Sequence, residues 1–282
     1  MILSGRARVA GVMGWPVGHS WSPRIHGYWL RRYHIDGAYV PLPVQPESLA
    51  AALAALPKLG FRGVSVTIPH KEAAMACMAE VSEAARAIGA VNTVVVQEDG
   101  ALRGTNTDAS GFLEAVRSAV PHWCPSAGPA LVLGAGGAAR AVVSALGHAG
   151  VPLVRVANRS PGRAERLAAD IGGRIEPVAW DDRAAAAADT TLLVNATSLG
   201  MAGQPPLDMP LGGLPTSSVV VDIVYQPLQT PLLAAAAARG NITVDGLGML
   251  LHQARPAFAA WFGVDPEVTA ELRAFVLHDT EH

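Results

Sequence analysis

The chain has 282 residues, half of them hydrophobic and 16% charged, with a net charge of −2, a composition that suits packed globular structure and excludes an intrinsically disordered chain. Lys and Arg (21) are scattered and slightly outnumbered by Asp and Glu (23), which leaves no electrostatic basis for binding nucleic acid or an anionic membrane. The length exceeds that of most single hydrophobic cores, so two domains are expected.

In chain order, strands are predicted over RVAGVMG (8–14), GAYVPLPV (37–44), the β-branched run GVSVTI (63–68) and NTVVVQ (92–97). Helices are predicted over 22–34, 46–56, 71–87 and 109–119. The stretch VPHWCPSAGP (120–129) concentrates Pro, Gly and Ser and reads as a linker. The pattern then restarts with strands PALVLGA (129–135), LVRVAN (153–158), TLLVNAT (191–197), SVVVDIV (218–224) and NITVDG (241–246), and with helices over 138–149, 161–171 and 230–239. This alternation predicts α/β architecture on parallel strands with helices on both faces. The tail from 250 is helical by period and fits either domain.

Cys77 and Cys124 match neither a disulfide framework nor a metal spacing. Ser4, Arg6 and Arg8 interrupt the N-terminus, and no apolar run is long enough to span a bilayer, so the expected location is the cytoplasm. The nine histidines include no HExxH, and no metal is expected. His19 and Ser20 are adjacent on an extended segment and point apart, so they form no nucleophile dyad.

LVLGAGGAAR places Gly134 and Gly136 directly after an apolar strand, with Ala139 at the third small position. The first glycine makes the tight turn, the second lets a pyrophosphate approach the backbone, and the helix N-terminus faces the phosphates. The next strand ends in Asn158, Arg159 and Ser160, with Arg163 one turn on, rather than in a carboxylate. A carboxylate would repel a 2′-phosphate and a guanidinium binds one bidentately, so NADP is the expected cofactor.

Lys71 follows the strand GVSVTI, and Asp108 opens a helix after the polar loop GTNT. Each alone has an ordinary explanation, an exposed lysine and an N-cap aspartate. Ser65 and Thr67 alternate on one face of the strand before the first, Asn106 and Thr107 sit beside the second, and Asn92 closes GAVN. Hydroxyl and amide groups gathered at strand ends suit a polyhydroxylated ligand.

GWPVGHSWSP, VTIPHKE, GAVNTV, NTD, GAGGAAR, NRSPGRAE, NATSLGM, DIVYQPLQTPLL and DGLGMLLHQA follow one another over essentially the whole chain. In that order they resemble the shikimate dehydrogenase family, oxidoreductases that interconvert 3-dehydroshikimate and shikimate with NADP on the route to chorismate and the aromatic amino acids. The resemblance implies an α/β substrate domain over 1–112, completed by C-terminal helices over 250–282, and a doubly wound Rossmann NADP-binding domain over 113–249. It implies Lys71 and Asp108 as the acid–base pair, and Ser20 and Ser22 as ligands of the substrate carboxylate. Ser65, Thr67, Asn92, Tyr225 and Gln253 are the further substrate contacts. On the cofactor side it implies Gly134, Ala135, Gly136, Gly137 and Ala138 at the pyrophosphate, and Asn158, Arg159, Ser160 and Arg163 at the adenosine phosphate. Ala196, Thr197, Ser198, Ile223, Gly246 and Met249 fall near the nicotinamide, and Glu83 near the cofactor. A monomer or homodimer with a small-molecule substrate is expected.

Where the family usually carries asparagine, this chain has Ser65, which is shorter and has a single rotating hydroxyl. A paralogue acting on quinate or a related cyclohexane carboxylic acid, with NAD, is therefore the alternative. A non-catalytic sensor with the same fold is disfavoured by the intact Lys71 and Asp108.

Overall fold

The computed structural model describes residues 2–278. The chain divides into two compact units, Met1–Thr107 with Leu251–His282, and Asp108–Leu250. The Pro/Gly/Ser stretch 120–129 lies inside the second unit, as coil with a single 3-10 turn at Pro125–Ala127.

The first unit is a six-stranded mixed sheet of β1 (Arg8–Gly14), β2 (Gly37–Pro43), β3 (Phe61–Val66), β4 (Glu80–Val81), β5 (Thr93–Val96) and β6 (Leu102–Thr105), in the order β2-β1-β3-β5-β6-β4. β1 runs parallel to β2 and β3, but β5 is antiparallel to both β3 and β6. This departs from the uniformly parallel pattern read from the sequence. Between β5 and β6 the cause is local: Gly100 takes φ +84°, Gln97 and Ala101 close the turn through an N–H···O bond of 2.9 Å, and the Asp99 carboxylate accepts the Ala101 amide at 2.9 Å. A tight Asp-Gly turn returns the chain antiparallel.

The single helix expected over 71–87 is also broken. A 3-10 turn at Ala73–Cys77 and the short β4 precede α3 (Glu83–Ile88), which starts where Ser82 accepts the Ala85 amide at 3.1 Å. An N-cap serine begins a new helix more favourably than it sits inside an old one. Helices α1 (Ser22–Arg32), α2 (Leu49–Ala55), α9 (Ala270–His278) and the C-terminal part of α8 (Gly246–Phe262) complete the unit. Gly63 marks a close approach: its φ is +153°, and a Cβ there would stand 2.0 Å from the Val94 carbonyl and 2.3 Å from the Trp261 indole nitrogen, which itself donates to Val94 O at 2.9 Å.

The second unit is a six-stranded sheet of β7 (Ala130–Leu133), β8 (Val154–Ala157), β9 (Ile175–Val178), β10 (Leu192–Asn195), β11 (Val219–Asp222) and β12 (Ile242–Val244), all parallel, in the order β12-β11-β10-β7-β8-β9. Side chains alternate between two buried clusters. Ala130, Val132, Val156, Val194 and Val221 face α4 (Asp108–Ala119), α5 (Gly137–Ala149) and α6 (Pro161–Ile171), through Phe112, Val142, Leu146 and Leu167. Leu131, Leu133, Leu193 and Val220 face the opposite side with Leu232, Leu233 and Ala236 of α7 (Pro231–Ala238). A strand buried on both faces needs no polar alternation, which is why these runs read as continuously apolar. The order, with its reversal between β7 and β10, is that of a doubly wound nucleotide-binding fold.

Candidate active site

Ligands of doubly wound sheets bind at the carboxyl ends of the strands flanking the reversal, here the ends of β7 and β10. Gly134 leaves β7 at φ +109°, and a Cβ on it would stand 3.0 Å from the Ala196 carbonyl. Only glycine suits that turn. Gly136 caps α5 with no side-chain cap bond, and nothing lies within 4 Å of where its Cβ would be. The turn thus leaves open space beside the uncapped N-terminus of a 13-residue helix, the chemistry a pyrophosphate requires. Ala135 is buried, and Gly137 and Ala138 begin the helix.

At the end of β8, Arg159, Ser160 and Arg163 are exposed, and the Asn158 amide donates to the Ser160 carbonyl at 2.9 Å. No carboxylate ends this strand. The residues present fit the 2′-phosphate of NADP.

A buried polar network joins the ends of β10 and β11. Asn195 donates from its amide to Asp222 Oδ1 (2.9 Å) and to the Leu199 carbonyl (3.1 Å), and its Oδ1 accepts from both the amide (3.0 Å) and the hydroxyl (2.7 Å) of Thr197. Asp222 also accepts the Val224 amide at 3.0 Å and the Thr230 hydroxyl at 2.7 Å. Burial pushes the Asp222 carboxyl up to about 6, against these hydrogen bonds, which favour its charged form. The network fixes the loops that carry Ala196, Thr197, Ser198, Ile223 and Tyr225. Gly246 closes this region; a Cβ on it would meet the Ile223 carbonyl at 2.2 Å. Met249 is buried one turn further along α8.

The expected substrate contacts Ser20, Ser22, Ser65, Thr67, Asn92 and Gln253 lie in the first unit together with Lys71, whereas Asp108 and Tyr225 lie in the second. Thr67 leaves β3 with its amide on the Met13 carbonyl (2.9 Å) and its carbonyl on the His70 amide (2.9 Å). His70 is buried and its Nε2 meets the Val44 carbonyl at 2.7 Å, and the Lys71 carbonyl accepts the Val91 amide at 2.8 Å. The backbone that delivers Lys71 is therefore pinned on both sides.

Asn92 is the hub of a second buried network. Its amide donates to Thr107 Oγ1 (3.0 Å) and to Gln253 Oε1 (3.5 Å), while its Oδ1 accepts the Thr107 amide (2.9 Å) and the Thr93 hydroxyl (2.9 Å). The Thr107 hydroxyl in turn donates to the Gln253 carbonyl at 2.9 Å. Asp108, buried, is the next residue and the first of α4. Ser20 Oγ accepts the Ser22 amide at 3.3 Å at the start of α1. Glu83 is exposed in the first turn of α3.

One group escaped the sequence reading. Tyr39 donates its hydroxyl to Ser65 Oγ at 2.7 Å, both buried. His26 stacks on Tyr39 with centroids 4.0 Å apart and planes 6° from parallel, fully buried, with neither ring nitrogen hydrogen-bonded. Burial holds its imidazole down at about 3. Nothing in GAYVPLP separates Tyr39 from an ordinary core aromatic. No helix among the described residues is long and apolar enough to cross a membrane.

Comparison with known proteins bears on this arrangement. The shikimate dehydrogenase substrate-binding domain matches residues 12–94, shikimate/quinate 5-dehydrogenase matches 124–201, and the shikimate 5′-dehydrogenase C-terminal domain matches 246–270. The shikimate dehydrogenase (NADP(+)) of Paramagnetospirillum magneticum is 60% identical over 275 residues, covering 98% of this chain and 100% of that protein. That of Rhodospirillum rubrum is 60% identical over 280 residues, 98% and 99% of the two chains. Among solved structures, shikimate 5-dehydrogenase from Thermus thermophilus in complex with NADP(H) and shikimate superposes with TM-score 0.83 at 40% identity, over 95% of this chain and 97% of that one. Quinate dehydrogenase from Corynebacterium glutamicum in complex with NAD gives 0.88 at 33% identity, over 96% and 99%. With this similarity running nearly end to end, the chain belongs to the shikimate dehydrogenase family.

Proposed function

We propose that this protein is an NADP-dependent shikimate dehydrogenase that interconverts 3-dehydroshikimate and shikimate, as its relatives at 60% identity are named. The observation that carries the reading is the pairing of that similarity with a β8 terminus that offers Arg159 and Ser160, and no carboxylate, to an adenosine ribose. Residues 1–112 with 250–282 would hold the substrate, and 113–249 the cofactor. The bound cofactor supplies the hydride acceptor or donor for the substrate's C3.

The protein's own residues handle the proton and the geometry. Lys71 takes the proton of the C3 hydroxyl during oxidation and returns it during reduction. Its pinned backbone limits the reorganisation needed to reach that oxygen. Asp108 acts with Lys71 as the acid–base pair. Ser20 and Ser22 at the start of α1 bind the ring carboxylate, while Ser65, Thr67, Asn92, Gln253 and Tyr225 bind the remaining polar groups. Asn92 and Gln253 are held for this by the Thr107 network. Gly134 to Ala138 take the pyrophosphate, Asn158 to Ser160 with Arg163 the 2′-phosphate, and Ala196 to Ser198, Ile223, Gly246 and Met249 the nicotinamide end. Glu83 is assigned near the cofactor on resemblance alone. The protein acts in the cytoplasm as a monomer or homodimer, with no nucleic-acid or membrane partner.

A second reading rests on Ser65 and on the likeness to the quinate dehydrogenase of C. glutamicum. In it the chain oxidises quinate or a related acid, with NAD. Steady-state kinetics crossing shikimate and quinate with NADP and NAD separates the two. Shikimate with NADP should give the highest kcat/KM by about tenfold or more; a preference for quinate or NAD would install the second reading.

A further inference from the structure

The Ser65 hydroxyl has its hydrogen-bonding set half fixed by the protein. Tyr39 has one hydroxyl hydrogen and spends it on Ser65 Oγ, at 2.7 Å. Ser65 is 8% exposed, and no protein group among the described residues takes its own hydrogen. His26 lies flat against the Tyr39 ring, with Trp261 also packed on that ring at a centroid distance of 5.8 Å. The phenol therefore has little freedom to turn away.

We infer that Tyr39 is a positioning residue of the substrate site, which occupies the acceptor side of Ser65 so that its hydroxyl is presented to the ligand as a donor. This deepens the reading of the site as that of a shikimate dehydrogenase and rests on it. A serine free to rotate would serve a ligand donor or acceptor equally. A serine already accepting from Tyr39 favours a ligand oxygen with an available lone pair. The position would then discriminate against a ligand that offers only a donor there.

The test is a double-mutant cycle on Tyr39→Phe, Ser65→Ala and the double variant, read by steady-state kinetics with shikimate and NADP. Tyr39→Phe should raise the shikimate KM about five- to tenfold, the worth of one buried hydrogen bond. It should leave kcat within about threefold and the NADP KM unchanged, since the residues assigned to the pyrophosphate, the 2′-phosphate and the nicotinamide lie in the other unit. Added to Ser65→Ala, it should have no further effect on the shikimate KM, because the partner it orients is gone. Multiplicative effects in the double variant, an unchanged KM in Tyr39→Phe, or a parallel rise in the NADP KM would each overturn the inference. A wild-type enzyme that fails to turn over shikimate with NADP would refute the proposed function instead, a separate outcome read before any variant is made.

Discussion

Replacing His26 with phenylalanine isolates the energetics of a buried imidazole that has no partner. In the folded protein this ring stays neutral down to about pH 3, whereas it protonates near 6.5 once exposed. A base whose folded value is depressed contributes stability that is complete above about 6.5 and is lost as the pH falls, because only the unfolded chain gains the proton. At about 1.4 kcal/mol per unit, the fall from neutrality to about pH 4 should cost the wild type roughly 3 kcal/mol through this one residue. Phenylalanine keeps a ring stacked on Tyr39 and cannot titrate. At neutral pH two effects of about 1–3 kcal/mol oppose each other, relief of an unsatisfied buried N–H and crowding by the larger ring. Little net change is expected there. Urea unfolding of both proteins at about pH 7 and about pH 4 gives the difference of differences, in which every other titrating group cancels. The variant should gain about 3 kcal/mol on the wild type across that interval. Two curves that stay parallel to within about 1 kcal/mol would mean that the imidazole has an acceptor or that water reaches it, and would refute the reasoning.

Lys71→Met should lower kcat by about 10²- to 10⁴-fold with the NADP KM unchanged; a loss below about threefold would remove Lys71 from the proton transfer. Arg159→Ala should raise the NADP KM about tenfold and leave the NAD KM nearly untouched, since only the former carries the 2′-phosphate. An equal change in both would place the guanidinium elsewhere. Gly136→Ala puts a methyl group into space that no protein atom occupies, in a backbone conformation open to any residue (φ −93°, ψ −177°). Its melting temperature should hold while NADP affinity falls tenfold or more, measured by fluorescence titration. Unaltered binding would show that the pyrophosphate does not pass there.

Legibility followed the reach of each signal along the chain. The second unit was readable because its strands are short apolar runs separated by full helices, and because the glycine turn has a fixed place after the first strand. β9 was missed because Ile175–Val178 is an edge strand with a glutamate and a proline in its four residues, and edge strands carry weak patterns. In the first unit, β6 was invisible: LRGT is four residues long with an arginine and a glycine, and only its pairing with β5 and β4 makes it a strand. Side-chain partnerships were least legible. Asn92 and Thr107 are 15 residues apart and Tyr39 and Ser65 are 26 apart, so sheet register, not local sequence, brings them together.

Asp222 carries the opposite linkage in the other unit. Its carboxyl is held up at about 6, against 3.8 for an ordinary aspartate. Between these values the folded state keeps a proton that the unfolded chain has lost. Stability from this group is therefore greatest below about pH 4 and declines as the pH rises to about 6, by roughly 3 kcal/mol in all. Asp222→Asn should remove that decline. The amide oxygen can still accept from Val224 and Asn195, leaving only the Thr230 contact to reverse its donor and acceptor. Acidification should accordingly weaken the unit that contains His26 and strengthen the unit that contains Asp222, by comparable amounts and over an overlapping range. A single global unfolding curve would show little of either. Amide exchange, corrected for its intrinsic pH dependence, separates them: on going from about pH 6.5 to about pH 4, β1 and β3 should lose protection relative to β7 and β10. Introducing Asp222→Asn should abolish the gain in the second sheet and leave the loss in the first. If protection in both sheets moved together, the two ionisations would not be acting on separate units, and the opposed signs assigned to them would be wrong.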